Sequence, residues 1–137
     1  MGKTIEIVDP DNITKNWTEY SEMLDKALEY NDGSHTLSGI LTGLLLGKYK
    51  LIVCKEEKVN SISVIEFINY PKKRVCNIAF LYSKDVEVFK EDFISFVISY
   101  AKLSQADSVQ CYGRKGWKRF LANFDFKEIY TVLERNI

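Results

Sequence analysis

A single histidine, His35, occurs in the whole chain, so neither a catalytic triad nor a multi-histidine metal site can be assembled. It follows a turn and reads as a surface residue. Charge of one sign is also lacking: 19 basic residues balance 19 acidic ones, and nothing global steers the chain to nucleic acid or an anionic membrane. Long apolar runs are missing. Even Leu44-Leu-Leu and the five-residue Ile78-Ala-Phe-Leu-Tyr are far short of a membrane span. The polar-flanked start Met1-Gly-Lys-Thr-Ile-Glu has no secretory leader pattern, so a soluble, intracellular protein is expected. Cysteine is sparse and odd in number. Cys54, Cys76 and Cys111 each sit in a strand-like segment, without a Cys-x-x-Cys spacing or a nearby histidine. They read as free, buried thiols of a reducing compartment, not as disulfides, metal ligands or nucleophiles.

What remains is a chain of 137 residues, 46% apolar, with material for one sizeable core and no repeat or linker to divide it. One domain, 1–137, is expected. Thr4-Ile-Glu-Ile-Val alternates and stops at Asp9-Pro10, the mark of a first strand halted by proline. Trp17, Tyr20, Leu24, Ala27 and Leu28 recur at helical spacing between Ile13 and Tyr30. Asn31-Asp-Gly-Ser then gives a turn. Thr36 or Ser38 is placed to cap a short helix over Leu37–Leu46, weakened by Gly39 and Gly43. Gly39 and Gly43 share one face, which permits close approach of the chain's own sheet or of a partner subunit. Lys50–Lys55, Ser61–Asn69 and Val75–Tyr82 follow as strands joined by short polar turns, hence an antiparallel meander. Phe89, Phe93, Phe96, Val97 and Tyr100 mark a long helix running to about Leu103. A strand, a short helix carrying Trp117, Phe120, Leu121 and Phe124, and a closing strand complete the order β-α-α-β-β-β-α-β-α-β. The fold class is α/β, a mixed sheet with helices on both faces.

This order, and the ending from Ser108 to Glu134, resemble the GNAT fold of the acetyl-CoA-dependent N-acetyltransferases. Two motifs, Asn69-Tyr-Pro-Lys-Lys-Arg-Val and Tyr112-Gly-Arg-Lys-Gly-Trp, look like segments of small GNAT-like proteins of tailed bacteriophages. Some of those are internal or head-associated virion proteins. The resemblance implies phage or virion proteins as partners, a homo-oligomer as an option, and a location in the host cytoplasm or the virion.

In acetyltransferases of this fold, a Gln/Arg-x-x-Gly-x-Gly/Ala loop after the fourth strand brings backbone N–H groups to the coenzyme A pyrophosphate. Here that stretch is Leu81-Tyr-Ser-Lys-Asp-Val-Glu-Val-Phe-Lys-Glu-Asp, without a glycine. β-Branched Val86 and Val88 resist the backbone angles of such a cradle. Asp85, Glu87, Glu91 and Asp92 place negative charge where the diphosphate belongs; Lys84 and Lys90 only partly offset it. No cofactor is therefore expected. If the chain is an enzyme, it is an N-acetyltransferase using acetyl-CoA, held by Ser83, Lys84, Arg114 and Lys118. Tyr112, at a strand end, and Glu66, the carboxylate inside the third strand, are then its acid–base pair. Phe120 and Phe124 occupy the helix region where family members carry a catalytic tyrosine. Lys72-Lys73-Arg74 and Arg114-Lys115 with Lys118-Arg119 form basic patches beside aromatic rings, open to phosphates, to an acidic partner, or merely to solvent. The expected main role is a non-catalytic, protein-binding one.

Overall fold

The structure, a computed structural model, describes residues 2–29, 33–112 and 115–137. Strand β1, Thr4–Val8, ends where Pro10 removes a ladder donor. The same proline opens α1, Pro10–Lys15, because its fixed φ suits the first helical position. Asp9 caps this helix, its Oδ1 accepting from the Asn12 N–H at 3.0 Å. The single helix expected from Ile13 to Tyr30 is broken in two. Asn16 leaves the helical region at φ −110°, ψ 19°. Its carbonyl accepts from the N–H groups of both Glu19 and Tyr20, at 3.1 Å each. From there α2, Trp17–Leu28, sets off afresh. Helix α3, Leu37–Leu45, is capped by Thr36, whose Oγ1 accepts from Gly39 N–H at 3.1 Å.

Strands β2 (Tyr49–Lys55), β3 (Val59–Tyr70) and β4 (Lys73–Ser83) form the meander with β1, every pair antiparallel. Helix α4, Val86–Leu103, then carries the chain across to β5, Ser108–Cys111, which lies parallel to β4. The sheet order is β1-β2-β3-β4-β5. Side chains alternate between its faces. Leu51, Val53, Ile62 and Val64 meet Ile13, Tyr20, Leu24, Ile40 and Leu44 of the first three helices. Ile52, Cys54, Ile65, Cys76 and Ile78 meet Phe89, Phe93, Ile94 and Val97 of α4 and Leu121 of α5, Lys115–Ala122.

The expected closing strand does not form. Helix α5 ends in a turn in which Phe124 and Phe126 both donate to the Leu121 carbonyl, with Asp125 at φ 66°. Residues 127–137 run on exposed and without a ladder, and β5 keeps an open edge. The alternating sequence supplies strand propensity, but a strand also requires a neighbour to take its hydrogen bonds.

Candidate functional site

The structural feature that could hold a ligand begins with one extra residue in β4. Val64 pairs with Phe80 but Ile65 with Ile78, so Ala79 is bulged out. A bulge bends its strand. Pairing of β4 with β5 stops at the same level, Ile78 opposite Cys111. Beyond it, Ala79 to Ser83 of β4 have no β5 neighbour, and the sheet opens into a cleft. Leu81, Ser83, Phe89, Phe93 and Phe120 line what remains of it, about 10 Å³, room for one water at most. A larger cavity, about 240 Å³, lies towards the β1 edge at the opposite end of the strands, between Val8, Ile13, Leu44 and Tyr49. The carboxylate at its rim, Asp9, is taken up by the Asn12 N–H and Nδ2.

The connection from β4 to α4 is fastened to β3. A second bulge puts Asn60 between the pairs Cys54–Ser61 and Lys55–Val59. The Asn60 carbonyl accepts from Lys84 N–H at 2.9 Å. Its Nδ2 donates to the Asp85 carbonyl at 3.1 Å and to Ser61 Oγ at 2.8 Å. Ser61 and Ser83 share a hydroxyl–hydroxyl bond of 2.7 Å. Asp85 caps α4, its Oδ1 accepting from Glu87 N–H at 3.2 Å, and its carbonyl accepts from Val88 N–H at 3.3 Å. Three amides that would face a diphosphate thus have protein acceptors already. In this conformation the residues present do not fit coenzyme A: the backbone donors are engaged, the cleft has room for one water at most, and the Asp85 carboxylate already caps the helix start. Asn60 had no signal in the sequence beyond its type, because the partners it joins lie across a sheet register.

Of the sequence-derived cofactor contacts, Ser83 lines the cleft and spends its hydroxyl on Ser61, while the Lys84 side chain is exposed. Lys118 stands 3.6 Å from Glu128. Arg114 lies outside the described residues, as do Tyr30, Asn31 and Asp32. Glu66 and Tyr112 are engaged separately. Glu66 sits opposite Asn77, whose Nδ2 donates to Glu66 Oε2 at 3.3 Å, with β4 between it and β5. Tyr112, beyond the end of β5, shares a 2.6 Å hydroxyl bond with Tyr130. That bond, and then desolvation, hold the Tyr112 hydroxyl well above its ordinary pKa.

The other candidates resolve on their surroundings. Burial pushes the Cys54 thiol up to about 12, Cys76 to about 11 and Cys111 to about 12, so all three stay protonated and unreactive near neutrality. His35 is half-buried, not the surface residue its turn suggested; its ring meets Phe80 edge-on at 5.0 Å. Arg74 is built into the fold. Its Nε donates to the Ser104 carbonyl at 3.0 Å, its Nη1 to Asn69 Oδ1 at 2.8 Å, and its guanidinium covers the Phe67 ring. Gly43 approaches the chain's own sheet: a Cβ there would lie 2.5 Å from the Tyr49 ring.

The bulged fourth strand, the parted β4–β5 ends and the helix starting at the parting belong to one fold class. No protein-family model matches the chain, and no curated protein does. Solved structures do. A predicted acetyltransferase of Clostridium acetobutylicum, solved with acetyl-CoA, superposes with a TM-score of 0.72 at 14% identity, over 98% of this chain and 96% of that one. An aminoglycoside acetyltransferase from a soil metagenome, in complex with sisomicin, gives 0.71 at 12% identity over 98% and 96%. The glucosamine-6-phosphate N-acetyltransferase of Arabidopsis thaliana gives 0.69 at 12% identity over 99% of each. The chain has the GNAT fold.

Proposed function

We propose that this chain uses the GNAT scaffold to bind other proteins and does not transfer acetyl groups. The observation that carries this reading is the fastened β4–α4 connection. Asn60 and Asp85 occupy the amides of Lys84, Glu87 and Val88, and the cleft they border has room for a single water. Freeing those amides would cost hydrogen bonds that an incoming diphosphate must replace beside the Asp85 carboxylate that caps the helix. The motifs Asn69–Val75 and Tyr112–Trp117 favour a phage accessory or virion-associated protein working in the host cell or the particle; the solved relatives do not bear on that part. A second reading, an N-acetyltransferase with a modified loop, is favoured by the Ala79 bulge and the parted strands. It requires the Asn60 clamp to open on binding.

Titration of the purified chain with acetyl-CoA and coenzyme A, by calorimetry and thermal shift, separates the two. A ligand selective for the folded state raises its stability. No saturable heat and no shift at millimolar ligand are expected. Saturable binding weakened by Lys84→Glu or Lys118→Glu would overturn the proposal in favour of acetyl transfer.

A further inference from the structure

At the β1 edge two neighbouring strands end out of step. Strand β1 stops at Val8, opposite Leu51, where Pro10 diverts the chain into α1. Strand β2 begins before that level, at Tyr49. Tyr49 and Lys50 therefore have Glu66 and Ile65 of β3 on one side and no strand on the other. The turn from α3 into β2, with Gly47 at φ 80°, borders the gap from the far side. What is left is the cavity of about 240 Å³, with room for several waters where the β4 cleft holds one at most. We propose that this cavity is a binding site for a short aliphatic monocarboxylate, its chain inside and its carboxylate on Lys50.

The interior calls for an apolar chain. Ile7, Val8, Pro10, Ile13 and Leu44 line it. None of these side chains offers a hydrogen bond, so water held against them lacks partners and an aliphatic chain displaces it favourably. With ~30 Å³ for each methylene-sized group, the volume suits an acid of roughly six to eight carbons.

The head group follows from the two charged residues that border the cavity, Asp9 and Lys50. Asp9 is spent: its Oδ1 accepts from the Asn12 N–H at 3.0 Å and its Oδ2 from Asn12 Nδ2 at 3.2 Å. Lys50 is half-buried and, among the described residues, makes no ion pair. Its ammonium is the uncompensated charge. The Lys48 ammonium, 5.4 Å from the Tyr49 ring centroid, adds a second positive group nearby. A carboxylate matches a single ammonium. A phosphate dianion would turn surplus negative charge towards Asp9, and an alkyl ammonium would face Lys50 itself. The site lies at the opposite end of the strands from the β4–α4 connection, so this inference stands whether or not that cleft takes coenzyme A.

Calorimetric and thermal-shift titration of the full chain with butanoate, hexanoate, octanoate and decanoate at millimolar concentrations is the test. Saturable binding, tightest at hexanoate or octanoate, is expected. Amide chemical shifts should move at Val8, Gly47 and Lys50 and stay put from Ser83 to Phe89. Lys50→Met should weaken binding about tenfold, the loss of one charge-assisted contact. Hexylamine and hexyl phosphate, tested on the unsubstituted chain, should each bind more weakly than hexanoate. No saturable binding of any acid, equal or tighter binding of the amine or the phosphate, unchanged affinity in Lys50→Met, or shifts at the β4 cleft instead would each overturn the inference.

Discussion

Gly43 shows how much a single missing carbon decides. Helix α3 lies so close to β2 that a Cβ at this position would stand 2.5 Å from Tyr49 Cδ2 and 2.7 Å from Cε2. The ring belongs to a buried side chain and has little room to turn. Gly43→Ala gains helix propensity of about 1 kcal/mol, but overpacking of this kind costs about 1–3 kcal/mol. A net loss near ~1 kcal/mol is expected in urea unfolding. At Gly39 the nearest atom is the Thr36 hydroxyl at 3.1 Å, which caps the helix; disturbing that cap and gaining helix propensity are worth about 1 kcal/mol each and offset, so Gly39→Ala should be close to neutral. The sequence showed both glycines on one face; only packing distinguished the one that touches the sheet.

At the scale of elements, helix α4 governs both packing and the candidate site. Its Phe89, Phe93, Ile94 and Val97 are buried against β2, β3 and β4. Its first turn is where the GNAT fold presents amides to an anion. Asp85 fills that place with its own carboxylate. Asp85→Ala removes the cap and should destabilise the chain by about 1 kcal/mol, read from the urea midpoint. It should not create coenzyme A binding, because Asn60 still holds Lys84 N–H and the cleft lined by Phe89, Phe93 and Phe120 still has room for one water at most. The stripe of α4 and the acidic, glycine-free approach to it were legible in the sequence. The clamp was not, since Asn60 and Asp85 are 25 residues apart and meet only through the β3–β4 register. The break at Asn16 was equally hidden, because the apolar spacing runs on unchanged from Ile13 through Trp17 to Tyr20.

Across the whole molecule, burial of three thiols links stability to alkaline pH. Cys54, Cys76 and Cys111 have folded-state values of about 12, 11 and 12 against an ordinary 9.0. A raised value means the folded state holds its protons longer than the unfolded one. The contribution is therefore complete below pH 9 and is lost as pH climbs towards 11–12. The urea midpoint should hold steady from pH 7 to 8.5 and fall beyond about 9. Cys54→Val should flatten part of that fall; an unchanged slope would mean other groups cause it. The same burial predicts that thiol reagents label Cys54 and Cys76 near neutrality only at the rate of unfolding.

The sequence by itself determined the class of the fold. Apolar spacing of two in the meander and near 3.6 in α4 is a local property that each segment carries alone, and caps such as Thr36 add local stops. It also determined what the β4–α4 connection lacks, because a missing glycine needs no coordinates to be missed. The tertiary structure alone decided where two helices replace one, where Ala79 bends the sheet, what clamps Lys84 and Asp85, and that residues 127–137 form no strand in the single chain. Each of those outcomes depends on partners distant in sequence. Hydrogen-bond donors must find acceptors and side chains must find room, and neither is written in the spacing of one segment.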